Sequence, residues 1–386
     1  MNTATKQKWQ AEMLLGRFHD LLLGQKFAHQ QIGYIHTLDI DYGEPLPVRK
    51  LLKVEQIAAK AREQIDSKNE QFIVDVNADL HQQIENEIDT LLSDIDYIYK
   101  EIIQIQDNIP ATLDILAVKS ASVGRIDPLI TDLHWLGEDI LKLINLPQYR
   151  NEKDPAKAVR VDNVSLALRY IGLDNLKLIV PTFSLKHWTP HSTAPFEMLK
   201  RKLWETGMAA GIASRKLAEL NNQDPYQSFV LGMFHGIGNM ALIRLYLRLF
   251  DGFWEKNARE AREKGEKQRH SALTELKPDA LFLRNLLVEK GPDVSCALIE
   301  HMALKYIPIT SAMREIAENT PFEVCSPLAQ TVLKGRAYSH YKFLQKHTLI
   351  EPDEAKALFT HHKFTANELK QLASTSLQNL QLRIER

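Results

Sequence analysis

Residues Val230 to Leu242 read V-L-G-M-F-H-G-I-G-N-M-A-L, an apolar run interrupted by one histidine and three glycines. Upstream, Asp224-Pro225 has the form of a helix start, with Asp as N-cap and Pro in the first turn, where its missing N–H costs nothing. The spacing therefore predicts a helix that opens at Pro225 and closes near His235. Gly236 and Gly238 then offer a flexible turn. Met240, Leu242 and Ile243 resume the apolar pattern on a second helix. His235 lies at the junction, where a side chain can be presented for chemistry.

The same three- and four-residue apolar spacing recurs along most of the chain, while alternating β-rich segments are scarce, so the fold class expected is all-α. The exception is Gln31 to Pro47, whose Gly and Pro positions oppose helix and which reads as a short strand or loop. Ile84, Ile88, Leu91, Ile95, Ile98, Ile102 and Ile105 form a heptad seam on one long amphipathic helix. Leu92, Tyr99 and Ile103 widen that seam, which favours packing within the chain over a two-stranded coiled coil. Asp107-Asn108-Ile109-Pro110 breaks the helix and marks a boundary near residue 108. Further turn signals fall at Asp127-Pro128, Leu146-Pro147, Asp154-Pro155, Gly172 and Thr189-Pro190. Thr365-Ala366-Asn367-Glu368 has capping-box spacing and opens a last helix toward Arg386.

A length of 386 residues with 44% hydrophobic residues is enough for two or three domains with buried cores. Lys plus Arg number 48 against 49 Asp plus Glu, so no general field draws the chain to nucleic acid or anionic lipid. The charged run from Glu255 to Arg269 pairs opposite signs at i,i+4 and reads as a solvated helix face. Between Leu51 and Asp107 there are 13 acids and five bases, and the acids avoid the Ile seam. The two cysteines, Cys296 and Cys325, have neither disulfide-scaffold nor zinc spacing. The N-terminus lacks the apolar core of a signal peptide, and no run has the roughly 18 to 20 apolar residues of a membrane span. A cytoplasmic protein without membrane contact is expected.

Metal sites in helical bundles combine His and carboxylates from facing helices, because imidazole and carboxylate oxygen suit divalent first-row metals. His235 and His301, the latter in A-L-I-E-H-M-A-L after Pro292, are the two candidates. Each alone is more simply a packed histidine bonded to a backbone carbonyl. His361 and His362 are adjacent, point about 100° apart on a helix and default to exposure. His187 and His191 flank a turn and receive no role.

V-S-L-A-L-R-Y-I-G-L-D-N-L-K-L-I-V at Val164 to Val180, then L-K-R-K-L-W-E-T-G-M-A-A-G-I-A-S-R-K-L-A, then F-V-L-G-M-F-H-G-I-G-N-M-A-L, together resemble the HDOD family, the HD-related output domains of bacterial signalling proteins. I-P-A-T-L-D-I-L from Ile109, D-P-L-I-T-D-L-H-W-L-G-E-D-I-L-K-L-I-N and L-I-E-H-M-A-L fit in the same order. The resemblance covers about residues 108–345, leaving 1–107 as an N-terminal helical region and 346–386 as a helical extension. It implies a two-lobed helical module whose second lobe is related to HD phosphohydrolases. In those enzymes a first His, a His-Asp pair and a later Asp hold a divalent metal. Here Thr206 stands where the first His would be, His235 is the His of the pair, and Gly236 replaces its Asp. His301 matches a later family histidine. The final Asp has no counterpart among Lys334, Gly335 and Arg336. A hydrolytic site needs about three protein ligands and an open position for water, which this set does not supply.

The leading expectation is thus a non-catalytic regulatory module in a bacterial signalling pathway, with no cofactor, acting through a protein partner or a small ligand. The first alternative is a metal-dependent phosphohydrolase using His235, His301 and a carboxylate such as Glu300. The second is a nucleic-acid or nucleotide binder using Lys200, Arg201, Lys202, Arg215 and Lys216; nucleic acid is the less expected partner because binding draws on a concentrated basic patch.

Overall fold

Helix periodicity in the sequence becomes helix after helix in the structure, a computed structural model that describes residues 3–32, 53–149 and 160–383. In chain order these are α1 (Thr3–Leu23), α2 (Gln25–Gln31), α3 (Lys53–Leu92), α4 (Ile95–Tyr97), α5 (Asn108–Ala117), α6 (Val123–Thr131), α7 (His134–Ile144), α8 (Val164–Trp188) and α9 (Leu199–Leu220). They continue with α10 (Pro225–Phe234), α11 (Ile237–Glu263), α12 (Lys267–Glu275), α13 (Ala280–His301), α14 (Thr310–Ala317), α15 (Pro327–Lys346), α16 (Pro352–His361) and α17 (Ala366–Ala373). No strand occurs among the described residues, and the fold is all-α. Most of the Gln31 to Pro47 stretch lies outside the described residues, as does Asp154-Pro155; Gln31 itself ends α2.

Two groups of helices share one core. Helices α5 to α8 pack on one another, α9 to α15 form the second group, and α8 joins them by touching α9, α10 and α11. At Gly172 the backbone takes φ 75°, a value that favours glycine, and kinks α8 into two pieces. Within the second group α9 is clasped by α10 and α15. A β-carbon on Gly232 of α10 would stand 2.8 Å from Ser214 Oγ, and one on Gly335 of α15 would stand 2.1 Å from the same atom. The three backbones approach only because those side chains are absent.

The Ile seam is buried within the chain, as its width suggests, but it does not lie on one helix. Helix α3 stops at Leu92, α4 spans three residues, and a π-helical turn at Ile98–Ile103 ends in left-handed Gln104. The break has a local cause. Ser93 Oγ donates to Thr90 O at 2.6 Å, and Asp94 accepts the Tyr97 N–H at 3.1 Å, so side chains offer the backbone an alternative to the next helical turn. Ile84, Ile88, Ile98, Ile102 and Ile105 are buried all the same, against α11, α12 and α13. The Arg244 guanidinium on α11 donates to Ile102 O at 2.8 Å and Thr189 O at 3.1 Å, satisfying carbonyls left open where the π turn and α8 end.

Other punctuation in the sequence acts differently from its expected role. Asp127-Pro128 does not separate helices: α6 runs through Pro128, with buried Ile126 and Ile130 holding the short helix on the core. Pro292 is likewise inside α13. The Thr365 capping box forms, each partner bonding the other's backbone N–H, yet α17 ends at Ala373 and does not run on to Arg386. The chain then returns to α8, where the Asn175 side-chain amide pairs with the backbone N–H and C=O of Arg383 at 3.0 and 2.7 Å.

Tyr246 of α11 ties α3 to α13. His81 Nδ1–H donates to Asn77 O at 2.9 Å, which leaves its Nε2 to accept from the Tyr246 hydroxyl at 3.0 Å. The same hydroxyl accepts the Asp279 N–H at 2.6 Å. Tyr246→Phe strands both partners inside the protein and should cost on the order of 1–3 kcal/mol for each. Urea unfolding of the variant measures it; a loss under about 0.5 kcal/mol would refute this account of the network.

Candidate functional site

Helix α1 is fastened across the second group of helices by three charged side chains. Arg17 makes a bidentate pair with Glu354 at 2.8 and 3.0 Å and donates to Leu349 O at 2.7 Å. Lys202 of α9 donates to Leu21 O at the end of α1. Arg284 of α13 pairs with buried Asp20 at 3.2 Å. The consequence is that His19 faces α10 and α15.

There, a cavity of about 70 Å³ is lined by His19, Thr206, His235, Gly236, Arg336 and His340. Three of the four positions singled out in the sequence therefore converge: Thr206, His235 and Gly236. His301 does not join them. Its Nε2 lies 3.1 Å from Asp96 Oδ1, its ring packs on Tyr99, and the neighbouring Glu300 turns away to Arg314 at 2.5 Å. The combination of His235, His301 and Glu300 is not assembled.

Each imidazole in the cavity is held neutral by burial. His235 caps the end of α10, and its Nδ1–H donates to Gly232 O at 2.7 Å. His19 Nδ1–H donates in the same way to Leu15 O at 2.8 Å. Only a protonated nitrogen can bond a carbonyl, so each ring keeps Nε2 as a free lone pair on the side away from its helix. Burial pulls both pKa values down to about 4, and the Arg336 charge adds to the effect. His340, stacked on Phe18 at 3.6 Å, is also lowered well below the ordinary histidine value, first by burial and then by the Arg336 charge. Thr206 spends its hydroxyl proton on Lys202 O at 2.7 Å.

Lys334, Gly335 and Arg336 stand where the resemblance would place a final Asp, and their roles differ. Lys334 forms a buried ion pair with Glu368 at 2.8 Å, and Gly335 makes the contact with Ser214. Arg336 is half-buried and borders both this cavity and a wider groove. Burial lowers its pKa to about 10, so it is cationic at neutral pH. An HD-type metal centre would need carboxylates here. The cavity gathers imidazoles beside a guanidinium instead, and it is the positive charge of Arg336 that opposes a divalent cation. Among the described residues no three His, Cys, Asp or Glu side chains converge as a metal site requires.

The two glycines of the turn, expected alike to offer flexibility, differ in what they do. Gly236 has φ −110°, open to any residue, and a β-carbon there would meet only Asn239 Nδ2 at 3.8 Å. Gly238 is a packing contact: its β-carbon would stand 2.4 Å from Gly291 O and 2.5 Å from Ser295 N. The His361-His362 pair also departs from expectation, because His362 is buried with its Nδ1 on Leu358 O at 3.0 Å. His187 stacks on Trp135 at 3.9 Å, and His191 accepts at its carbonyl from Lys200. The basic residues of α9 are occupied locally, Arg201 with Glu205, Arg215 and Lys216 with Glu219, and Lys202 with α1. Both cysteines are buried, and burial raises the Cys296 thiol to about 11.

His19, Arg336 and His340 were not singled out by sequence reasoning. Arg336 and His340 are four apart on α15, and that i,i+4 spacing is the one signal that could have paired them. His19 lies in a region that resembles nothing named, and only the docking of α1 brings it in.

The described residues form an all-α fold whose cavity brings Thr206, His235 and Gly236 together with no Asp or Glu in its lining. Residues 104–277 match the HDOD domain model. The match contains Thr206, His235 and Gly236 and ends before α13 and α15. No curated protein matches the chain. Among solved structures, a Shewanella amazonensis SB2B protein provisionally named a phosphohydrolase is similar at 16% identity and TM-score 0.45, covering 73% of this chain and 94% of that one. A second from the same organism, provisionally named a metal-dependent phosphohydrolase, is similar at 11% identity and TM-score 0.37, covering 76% and 99%. One segment, Pro225–Glu263, is apolar and long enough to span a membrane, and 72% of its most apolar window is buried inside the fold.

Two predictions follow from this geometry. His19, His235 and His362 have folded-state pKa values of about 4, 4 and 3, against 6.5 in a free chain. Between pH 6.5 and those values the unfolded chain takes up protons that the folded one refuses, so stability falls as pH falls. From pH 7 to 5 each histidine should remove on the order of 2 kcal/mol, read by urea unfolding; a flat profile would contradict the burial. In the turn, Gly238→Ala should lose about 1–3 kcal/mol by overpacking, while Gly236→Ala loses under about 1 kcal/mol. Thermal melts of the two variants distinguish them, and equal losses would refute the assignment.

Proposed function

We propose that the protein is a non-catalytic regulatory module of a bacterial signalling pathway, acting in the cytoplasm through a protein partner or a bound small ligand. One observation carries the reading: at the place where an HD centre would gather carboxylates around a metal, this chain holds Arg336 in a cavity with neutral His19, His235 and His340. A guanidinium there opposes a divalent cation by charge, and Gly236 supplies no ligand. Metal-dependent hydrolysis needs about three converging protein donors and an activated water, and among the described residues no three His, Cys, Asp or Glu side chains converge in that way. The HDOD match is consistent with a signalling role.

The test is turnover with metal supplied. Full-length protein with Mn²⁺, Mg²⁺ or Zn²⁺ should release product from p-nitrophenyl phosphate mono- and diesters and from cyclic dinucleotides no faster than buffer. His235→Ala should behave identically. A stoichiometric, tightly held divalent metal together with turnover lost in His235→Ala would overturn the proposal.

A further inference from the structure

The cavity has a chemistry of its own. Arg336 has no carboxylate or carbonyl partner among the described residues, and desolvation alone shifts it. A half-buried, partly desolvated cation without a counter-charge is unfavourable, and an anionic ligand would relieve it. Two neutral acceptors face the same space: the Nε2 lone pairs of His19 and His235, whose Nδ1 protons are already tied to Leu15 O and Gly232 O. A cationic fork beside two lone pairs matches a ligand with both anionic oxygens and an O–H. A carboxylate or sulfate satisfies the fork and sets bare oxygens against the lone pairs. Hydrogen phosphate satisfies both, pairing its anionic oxygens with the guanidinium and donating P–OH to imidazole.

Size and access agree. A water needs roughly 10–15 Å³ of such cavity volume, so about 70 Å³ holds a few waters or one small tetrahedral anion. Arg336 and His340 also border a wider groove of about 500 Å³ that reaches His362 and Lys363 at the end of α16. That groove, lined also by Glu12, Glu315 and Glu323, leads to the guanidinium.

We infer that the cavity between α1, α10 and α15 is a receptor for hydrogen phosphate, free or as the end of a small phosphomonoester, with Arg336 as the anion fork and His19 and His235 as acceptors. The inference rests on the non-catalytic reading of the same site and names the class of small ligand it would sense.

The experiment is calorimetric titration of the full-length protein in chloride buffer at pH 7 with inorganic phosphate, sulfate and AMP, alongside melting temperatures. Phosphate should bind at one site and raise the melting temperature, and sulfate, which carries no proton at this pH, should bind at least tenfold more weakly. AMP binding at the same site would identify the ester form as a ligand; phosphate binding without AMP would identify the free ion. Arg336→Met should abolish the phosphate response and melt no lower than the parent in phosphate-free buffer, because it removes an unpaired, partly desolvated charge. Arg336→Lys keeps the charge without the fork, and should weaken phosphate at least tenfold even if the Met variant fails to fold. No saturable phosphate binding by the parent protein, or unchanged affinity in Arg336→Lys, overturns the inference. Absence of binding would leave the non-catalytic reading standing; metal-dependent turnover beside intact phosphate binding would sink that reading and spare the site.

Discussion

Ser214 of α9 sits where two glycines meet it, Gly232 from α10 and Gly335 from α15, and neither neighbour has space for a β-carbon. That three-helix approach sets the site. Gly232 supplies the carbonyl that fixes the His235 tautomer, and Gly335 is followed directly by Arg336. With the backbones this close, the end of α10 and the middle of α15 share one small cavity. Helix α1 closes it with His19, held by Arg17, Lys202 and Arg284.

Charge then decides what the cavity can hold. In an HD phosphohydrolase, carboxylates make the site attractive to a cation. Here the nearby side chains are a guanidinium and imidazoles that burial keeps uncharged. On the proposed reading, neutral rings beside one positive group favour an anion over a divalent cation by charge.

Much of this was legible in the sequence. Three- and four-residue periodicity gave the all-α class, Asp224-Pro225 opens α10 as its capping chemistry requires, and the Ile seam is buried as its width suggests. The departures have local causes. Ser93 and Asp94 break the seam helix by side-chain hydrogen bonds that a hydrophobic pattern does not register. Gly236 and Gly238 look alike in sequence, and only the approach of α13 makes the second indispensable. Thr206, His235 and Gly236 could be placed by family order, whereas His19 could not, because tertiary docking of α1 alone brings it to the cavity. Arg336 was read as the absence of an aspartate; its meaning came from finding it half-buried and unpaired.

The central claim is that this cavity excludes a divalent metal by charge. Anomalous diffraction from crystals grown at pH 7 with millimolar manganese or zinc tests it most directly. The account predicts no anomalous peak between His19, His235 and Arg336, with the guanidinium in place. A metal peak bonded to His235 Nε2, with Arg336 displaced, would contradict it.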